Sequence, residues 1–235
     1  IREALLDLWE DQLDACFRGE ASHPVFIALR DAVARFKLDK KPFHDLLEAF
    51  RQDCRTNRYQ TIEELTDYCR RSANPVGRTV LKILGHDQDA CRAWSDDICT
   101  ALQLTNFWQD VSVDLRRDRL YIPLEDLDRF RIGVGALHGG APPPAFCDLM
   151  RYEVDRTREL FRRGRPLLTN AGYPERLYFA GVWLGGRTVL RMVRDLDARI
   201  LRERPRLRIG ALSMVWLKAV PRKLAAYSEG VEWTH

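Results

Sequence analysis

Four polar side chains, Gln103, Asn106, Asp110 and Asp114, recur at helical spacing inside a largely apolar run. At about 100° per residue, with Gln103 as zero, the other three fall at roughly −60°, −20° and +20°, which makes one stripe about 80° wide. Ile98, Leu102, Phe107, Trp108 and Leu115 surround it. Two carboxylates one turn apart in such company repel each other and resist burial, and a cation between them removes both costs. Asp-x-x-x-Asp offers hard oxygen ligands suited to Mg²⁺, which keeps waters and bridges to phosphate instead of being enclosed by protein. Diphosphate is the matching partner, because the amides of Gln103 and Asn106 and the arginines at 116, 117 and 119 can donate to a polyanion beside its metal. The same acids can also be read as a solvated helix face paired to those arginines, and spacing alone leaves both readings open.

The element that carries the stripe has to be long. Asp87 opens an uninterrupted helical pattern of about 28 residues through Trp94, Ile98 and Leu102 to Leu115, the spine of a bundle. Elsewhere 3.6-type spacing recurs at Leu5, Leu8, Leu13 and Cys16 and at Phe43, Leu46, Leu47, Phe50 and Cys54, while strand-like alternation is almost absent. Punctuation agrees: His23 precedes Pro24, Thr61 stands three before Glu64 as a capping box, and Asn74-Pro75 interrupts a helical pattern. Beyond the spine come Tyr121-Ile-Pro, a short helix around Leu124 to Phe130, and a Gly/Pro loop from Gly133 to Pro144. Helices are expected again at Phe146 to Arg165, Pro174 to Arg204 and Ala211 to Tyr227. The fold class read from this pattern is all-α, a single orthogonal or bundle-like domain.

Composition sets outer bounds. With 46% hydrophobic and 31% charged residues in 235, the chain can bury a sizeable core without crosslinks or structural metal. The net charge of +4 is too mild to argue for nucleic acid. It is unevenly spread, since residues 1–150 hold 20 basic and 25 acidic side chains and residues 151–208 hold 15 and 7. Arg outnumbers Lys 32 to 6, and its fork suits phosphate head groups, so the basic part is expected to lie against a membrane surface unless it is only a composition bias. The best apolar window, Leu177 to Gly186, is about half of a span. Six cysteines without CxxC or zinc spacing read as small core residues of a cytoplasmic protein.

At this point the residues resemble a known family. The run Gln103-Leu-Thr-Asn-Phe-Trp-Gln-Asp-Val-Ser-Val-Asp114, followed by Arg119-Leu-Tyr-Ile-Pro-Leu-Glu-Asp-Leu, is similar to the second aspartate-rich signature of squalene/phytoene synthases. Tyr68-Cys-Arg-Arg-Ser-Ala-Asn-Pro-Val-Gly77 resembles that family's preceding tyrosine motif, and the Gly185-Gly186 helix with Arg204-Pro205 resembles its carboxyl-terminal region. Within the family the chain looks most like the bacterial hydroxysqualene synthases of hopanoid pathways, with Phe107-Trp108-Gln109 ahead of Asp110 where head-to-head condensing members usually carry Arg at the position of Gln109.

The resemblance implies an isoprenoid-synthase-type helical bundle with a central active-site cavity. It implies Mg²⁺ on Asp110 and Asp114, presqualene diphosphate as substrate, water as co-substrate, and hydroxysqualene and diphosphate as products, with head-to-head condensation of two prenyl diphosphates, or a non-catalytic scaffold role, as the alternatives within the family. Gln103 and Asn106 would orient the diphosphate or the capturing water, Arg119 and Tyr121 would steady the leaving group, and Tyr68 would face the cation. Phe107, Gln109, Phe179 and Trp183 would complete the substrate site, the last two as walls of a hydrocarbon tunnel, although an aromatic helix face is also ordinary core. Other hopanoid-pathway enzymes are the expected protein partners. The family carries a first aspartate-rich motif that residues 1–60 do not supply. Asp7, Asp11 and Asp14 have the spacing but sit on what reads as a solvated face, so that motif is expected upstream of Ile1.

Overall fold

The computed structural model describes residues 1–138 and 142–206. Among these residues ten α-helices form and no strand does, apart from one isolated bridge between Arg58 and Leu120. The elements are α1 (Arg2–Arg18), α2 (Pro24–Phe36), α3 (Lys41–Arg55), α4 (Ile62–Ser72), α5 (Asn74–Leu84), α6 (Asp89–Leu115), α7 (Leu124–Arg129), α8 (Phe146–Gly164), α9 (Pro166–Asn170) and α10 (Glu175–Leu196). Boundaries follow the local chemistry. The His23 side chain accepts from Val25 N–H ahead of Pro24, and Thr61 Oγ1 accepts from Glu64 N–H while Glu64 reaches back to Gln60 N–H at 2.7 Å. Pro75 sits in the first turn of α5, where its missing N–H costs nothing. The helix expected at 211–227 lies outside the described residues.

α6, at 27 residues, is about 40 Å long and is the axis of the molecule. Ile98, Ala101, Leu104, Phe107, Trp108 and Val111 are buried along it, and α4, α5, α8 and α10 pack around it. Trp108 is fully buried and donates its indole N–H to Thr157 Oγ1 of α8 at 2.8 Å, which satisfies the one polar atom such a ring brings inside. α8 approaches so closely that a Cβ at Gly164 would stand 2.5 Å from Ile98 and 2.7 Å from the carbonyl oxygen of Trp94. α10 meets α6 through Gly186, where a Cβ would overlap Leu102 and lie 2.7 Å from Phe161. Each close approach deepens the burial of the spine, and each apolar side chain kept there contributes roughly 1.5–3 kcal/mol.

A second, smaller core joins α1, α2 and α3 through Leu13, Cys16, Phe26 and Leu47. Here the expected apolar stripes are corrected. Leu13, Cys16 and Leu47 are buried, but Leu5, Leu8 and Phe50 are 54%, 60% and 48% exposed, and Cys54 is exposed as well. Periodicity placed these side chains on one face, but no described element covers its far end. Cys54 is therefore not a core cysteine, while Cys16, Cys69 and Cys91 are buried. No helix of the described residues is long and apolar enough to cross a membrane.

Candidate active site

The polar stripe occupies the carboxyl-terminal half of α6, over about 16 Å from Gln103 to Asp114. Asn106 is exposed and Gln103, Asp110 and Asp114 are half-buried, so the stripe is reached by solvent and is not sealed in the core. Its two acids differ in their surroundings. Asp110 is paired with Arg204, whose Nη2 donates to Oδ2 at 3.0 Å and whose Nε lies against Oδ1. Arg204 belongs to the segment that follows a 3₁₀ turn after α10, and the next residue of that segment is also tied down, as Gln109 Nε2 donates to the Pro205 carbonyl at 2.6 Å. Asp114 is in no ion pair among the described residues. Burial and then the charge of Asp110 push its carboxyl up to about 6, against the pull of Arg119, Arg117 and Arg204.

Beside the stripe stands a cluster of rings. Phe107 and Tyr121 stack at 3.9 Å and 7°, Tyr59 lies 5.9 Å from Tyr121, and Tyr68 lies 5.7 Å from Tyr59 and 6.1 Å from Phe107. Backbone pairing brings these segments together: Leu120 N–H donates to Asn57 O at 2.8 Å and Leu124 N–H to Tyr59 O at 3.0 Å, which zips the loop after α3 to the turn after α6. That turn passes through Asp118 at φ 55°, a left-handed position an Asp tolerates, and the Asp118 carboxylate accepts from Arg58 at 2.5 Å. The Tyr68 hydroxyl donates to Asp53 Oδ2 at 3.1 Å, and Arg119 Nη2 donates to the Asp53 carbonyl at 3.2 Å. Burial and the nearby Asp53 charge raise Tyr68 well above the usual phenol range and hold Tyr121 up to about 12, so both remain neutral donors. Burial also raises Asp53, opposed by the Tyr68 hydroxyl and Arg119.

The arrangement brings Tyr68, Phe107, Asp110, Asp114, Arg119 and Tyr121 to one end of the spine. Phe179 and Trp183, expected as tunnel walls, have other partners: Phe179 meets His86 edge-on at 6.1 Å, and the Trp183 indole donates to Phe161 O at 2.8 Å. Gln109 is committed to the Pro205 carbonyl. Asp53, Tyr59 and Arg204 stand here as well, none of them among the site residues expected from the sequence. Asp53 and Tyr59 join the site through contacts to Tyr68 and Tyr121 that no periodicity encodes, and Arg204 meets Asp110 across 94 residues. A cavity of about 380 Å³ lies elsewhere, between α3, α5 and the start of α6, but its cations are already matched, Lys82 and Arg92 to Asp87 and Arg78 to Asp96.

A divalent cation fits these residues. Asp114 resists ionisation next to Asp110, and Asp53 Oδ1 is buried without a hydrogen bond among the described residues, so negative charge here is not settled by the protein's own cations. Among the described residues no three His, Cys, Asp or Glu side chains converge as a closed cage. That donor set suits an ion that keeps waters and takes ligands from a phosphate.

Known proteins share this architecture. The solved structure of squalene synthase HpnC from Alicyclobacillus acidocaldarius superposes with a TM-score of 0.80 at 38% identity, over 83% of this chain and 74% of that one. A dehydrosqualene synthase superposes at 0.83 with 22% identity, a likeness of fold. The 15-cis-phytoene synthase of Synechocystis sp. is 38% identical over 185 residues, 72% of this chain and 55% of the relative, and the phytoene synthase of Arthrospira platensis is 37% identical over 169 residues, 66% and 55%. The chain thus spans about half the length of these curated relatives. The all-α bundle is of the isoprenoid-synthase type, and with the squalene/phytoene synthase family matching residues 1–211, the chain belongs to that family.

Proposed function

We propose that the protein ionises a prenyl diphosphate with the help of Mg²⁺ and, more specifically, converts presqualene diphosphate and water to hydroxysqualene and diphosphate. The observation that carries the reading is the acid pair of α6, of which Asp114 is in no ion pair among the described residues, set against an aromatic wall and one half-buried arginine. In the reaction the carbon–oxygen bond to diphosphate breaks heterolytically, the cyclopropylcarbinyl cation rearranges, water adds to carbon, and the proton from that water leaves. Asp110 and Asp114 would hold the ion, which when bound neutralises charge on the departing diphosphate. Arg119, fixed by the Asp53 carbonyl and next to Tyr121, offers its remaining donors to the same leaving group. The aromatic cluster of Tyr68, Phe107 and Tyr121 would supply, on the ring surface that its own stacking leaves uncovered, a wall that stabilises a carbocation and excludes water from it. Gln103 and Asn106 present amides along the stripe to orient the diphosphate or the capturing water.

The neutral Gln109 supports a one-diphosphate reaction, because it brings no second cation to the stripe and spends its amide on Pro205. Head-to-head condensation of two prenyl diphosphates is the second reading, favoured by 37–38% identity to phytoene synthases. Incubating the full enzyme with Mg²⁺ and presqualene diphosphate, or farnesyl or geranylgeranyl diphosphate as sole substrate, separates them. Hydroxysqualene from the first supports the proposal, a C30 or C40 hydrocarbon from the others supports condensation, and no product from any rejects both. We also infer that the basic part of the chain contacts a membrane surface and that partner enzymes of hopanoid synthesis share it.

A further inference from the structure

The segment that follows α10 crosses the acid stripe as a strap. It leaves the 3₁₀ turn Asp197–Leu201 with the N–H groups of Arg202 and Glu203 bonded to Arg199 O, each at 2.9 Å. From Arg204 to Arg206 the backbone makes no hydrogen bond to other backbone among the described residues. Side chains of α6 hold it instead. Arg204 grips Asp110, with Nη2 donating to Oδ2 at 3.0 Å and Nε against Oδ1, and the Pro205 carbonyl accepts from Gln109 Nε2 at 2.6 Å. Pro205 is buried although Arg204 and Arg206 on either side of it are exposed. Two adjacent residues of α6 thus fasten two adjacent residues of the strap, across more than 90 positions of sequence.

A guanidinium fork on both oxygens of a carboxylate occupies the charge that a cation would use. Arg204 offsets one of the two negative charges of Asp110 and Asp114, whereas a divalent ion offsets both, and an arginine kept beside that ion would face a like charge. We propose that the strap and the metal are alternatives on Asp110: Arg204 and Gln109 hold residues 202–206 across the stripe, and Mg²⁺ seated on Asp110 and Asp114 displaces the guanidinium and releases the segment. The inference rests on the reading of those two acids as the metal pair and adds an internal cation that has to leave. The side chains of Arg204 and Asp110 are 42% and 27% exposed, so the exchange needs no unfolding of the core. By linkage the strap weakens metal binding by the same factor by which metal loosens the strap. A half-exposed ion pair contributes little, which sets that factor at about fivefold.

Two measurements on the full chain test this without substrate. Calorimetric titration with Mg²⁺ alone, after subtraction of the signal from Asp110→Ala/Asp114→Ala, reads the metal side. Deuterium uptake by the peptide that spans residues 202–206, with and without saturating Mg²⁺, reads the strap. Arg204→Gln should bind Mg²⁺ about fivefold more tightly than wild type, and Gln109→Ala, which removes no charge, about twofold more tightly. Mg²⁺ should speed exchange in residues 202–206 of the wild type. Binding seen only in the variants also supports the strap. Equal or weaker binding in Arg204→Gln, tightening confined to that variant, or uptake that Mg²⁺ leaves unchanged or lowers overturns the proposal while the metal pair stands. No Mg²⁺ binding to any of the three proteins overturns the metal pair and the strap with it. Should Arg204→Gln not fold, Gln109→Ala and the uptake of the wild type decide by the same criteria.

Discussion

Helices α1 and α6 both carry Asp-x-x-x-Asp, at Asp7 and Asp11 and at Asp110 and Asp114, yet the neighbouring elements treat the two pairs differently. On α1 Asp7 and two neighbouring acids, Glu10 and Asp14, meet a row of bases from α3 and its approach, while Asp11 is exposed to solvent and in no ion pair among the described residues. Arg51 Nη2 binds Asp7 and Glu10, each at 2.7 Å, Lys40 binds Asp14 at 2.6 Å, and His44 reaches Glu10 at 2.9 Å. The Lys40 hydrogen bond holds Asp14 below the ordinary carboxylate range. The face expected to be solvated is so at Asp7 and Asp11, both exposed, and Glu10 and Asp14 are the acids that tie it to α3 most closely. On α6 only Asp110 finds a cation, on the segment beyond α10, and Asp114 is pushed the other way, up to about 6. Spacing puts acids on one face, and what packs opposite decides whether they end as helix glue or as a charge left for a ligand.

The difference is broken most sharply by activity. Asp110→Ala with Asp114→Ala should reduce turnover of the prenyl diphosphate by roughly 10²–10³-fold, the size seen when a charge-stabilising group is removed. Asp7→Ala with Asp11→Ala should leave turnover within about twofold. Equal losses in a product assay would mean that the two pairs are not functionally distinct. Metal reads the same contrast in the resting protein. At Mg²⁺ ten times its Kd, wild type and the α1 variant should gain about 1.4 kcal/mol, roughly 3–6 °C in Tm, and the α6 variant nothing.

How far the sequence foretells this follows from the range of each interaction. The helix α6, its stripe and its caps rest on contacts within a few turns, so spacing alone was enough to place Gln103, Asn106, Asp110 and Asp114 on one face. Tyr68 and Tyr121 came from motif likeness, and the structure joins them through Asp53 and Tyr59. Pairings such as Tyr68 with Asp53 or Arg204 with Asp110 depend on which helix lands beside which, information spread over the whole core. The same limit explains the exposed Leu5, Leu8 and Phe50, since an apolar stripe says that a face is shared and not what covers it. It also explains Gln109, whose missing charge was legible and whose bond to Pro205 was not.

Stability should separate the two regions by sign. Asp114 has a folded value raised above its ordinary 3.8 to about 6, so the native state binds its proton more tightly than the unfolded chain does, and stability is lost as pH rises across that interval. Asp114→Asn should therefore stabilise the metal-free protein above pH 6, by about 1 kcal/mol once solvent screening of a half-buried group is allowed for, and do nothing below about pH 4. Asp14 is the reverse. Its folded value is lowered, so its contribution is present above 3.8 and disappears as pH falls through the folded value. Asp14→Asn should lower Tm at pH 7 and be neutral at strongly acid pH. Urea unfolding of both variants at pH 4 and pH 7 checks the pair, and the same sign at pH 7 would dissolve the distinction.

The smallest effect concerns the seam alone. Arg51 is mostly covered yet binds three acids, Asp7, Glu10 and Glu48, all of them more exposed than itself. Exposed partners of this kind contribute little each, so Arg51→Ala should cost roughly 1 kcal/mol in low salt. Because the interaction is partly screened, the cost should shrink by about half near 1 M NaCl, where the Debye length falls to roughly 3 Å. Turnover should not change, since no contact of Arg51 reaches the stripe. A cost that does not respond to salt would show that the arginine works through the packing of its stem between α1 and α3, and the seam would then be apolar in origin with its ion pairs as a consequence.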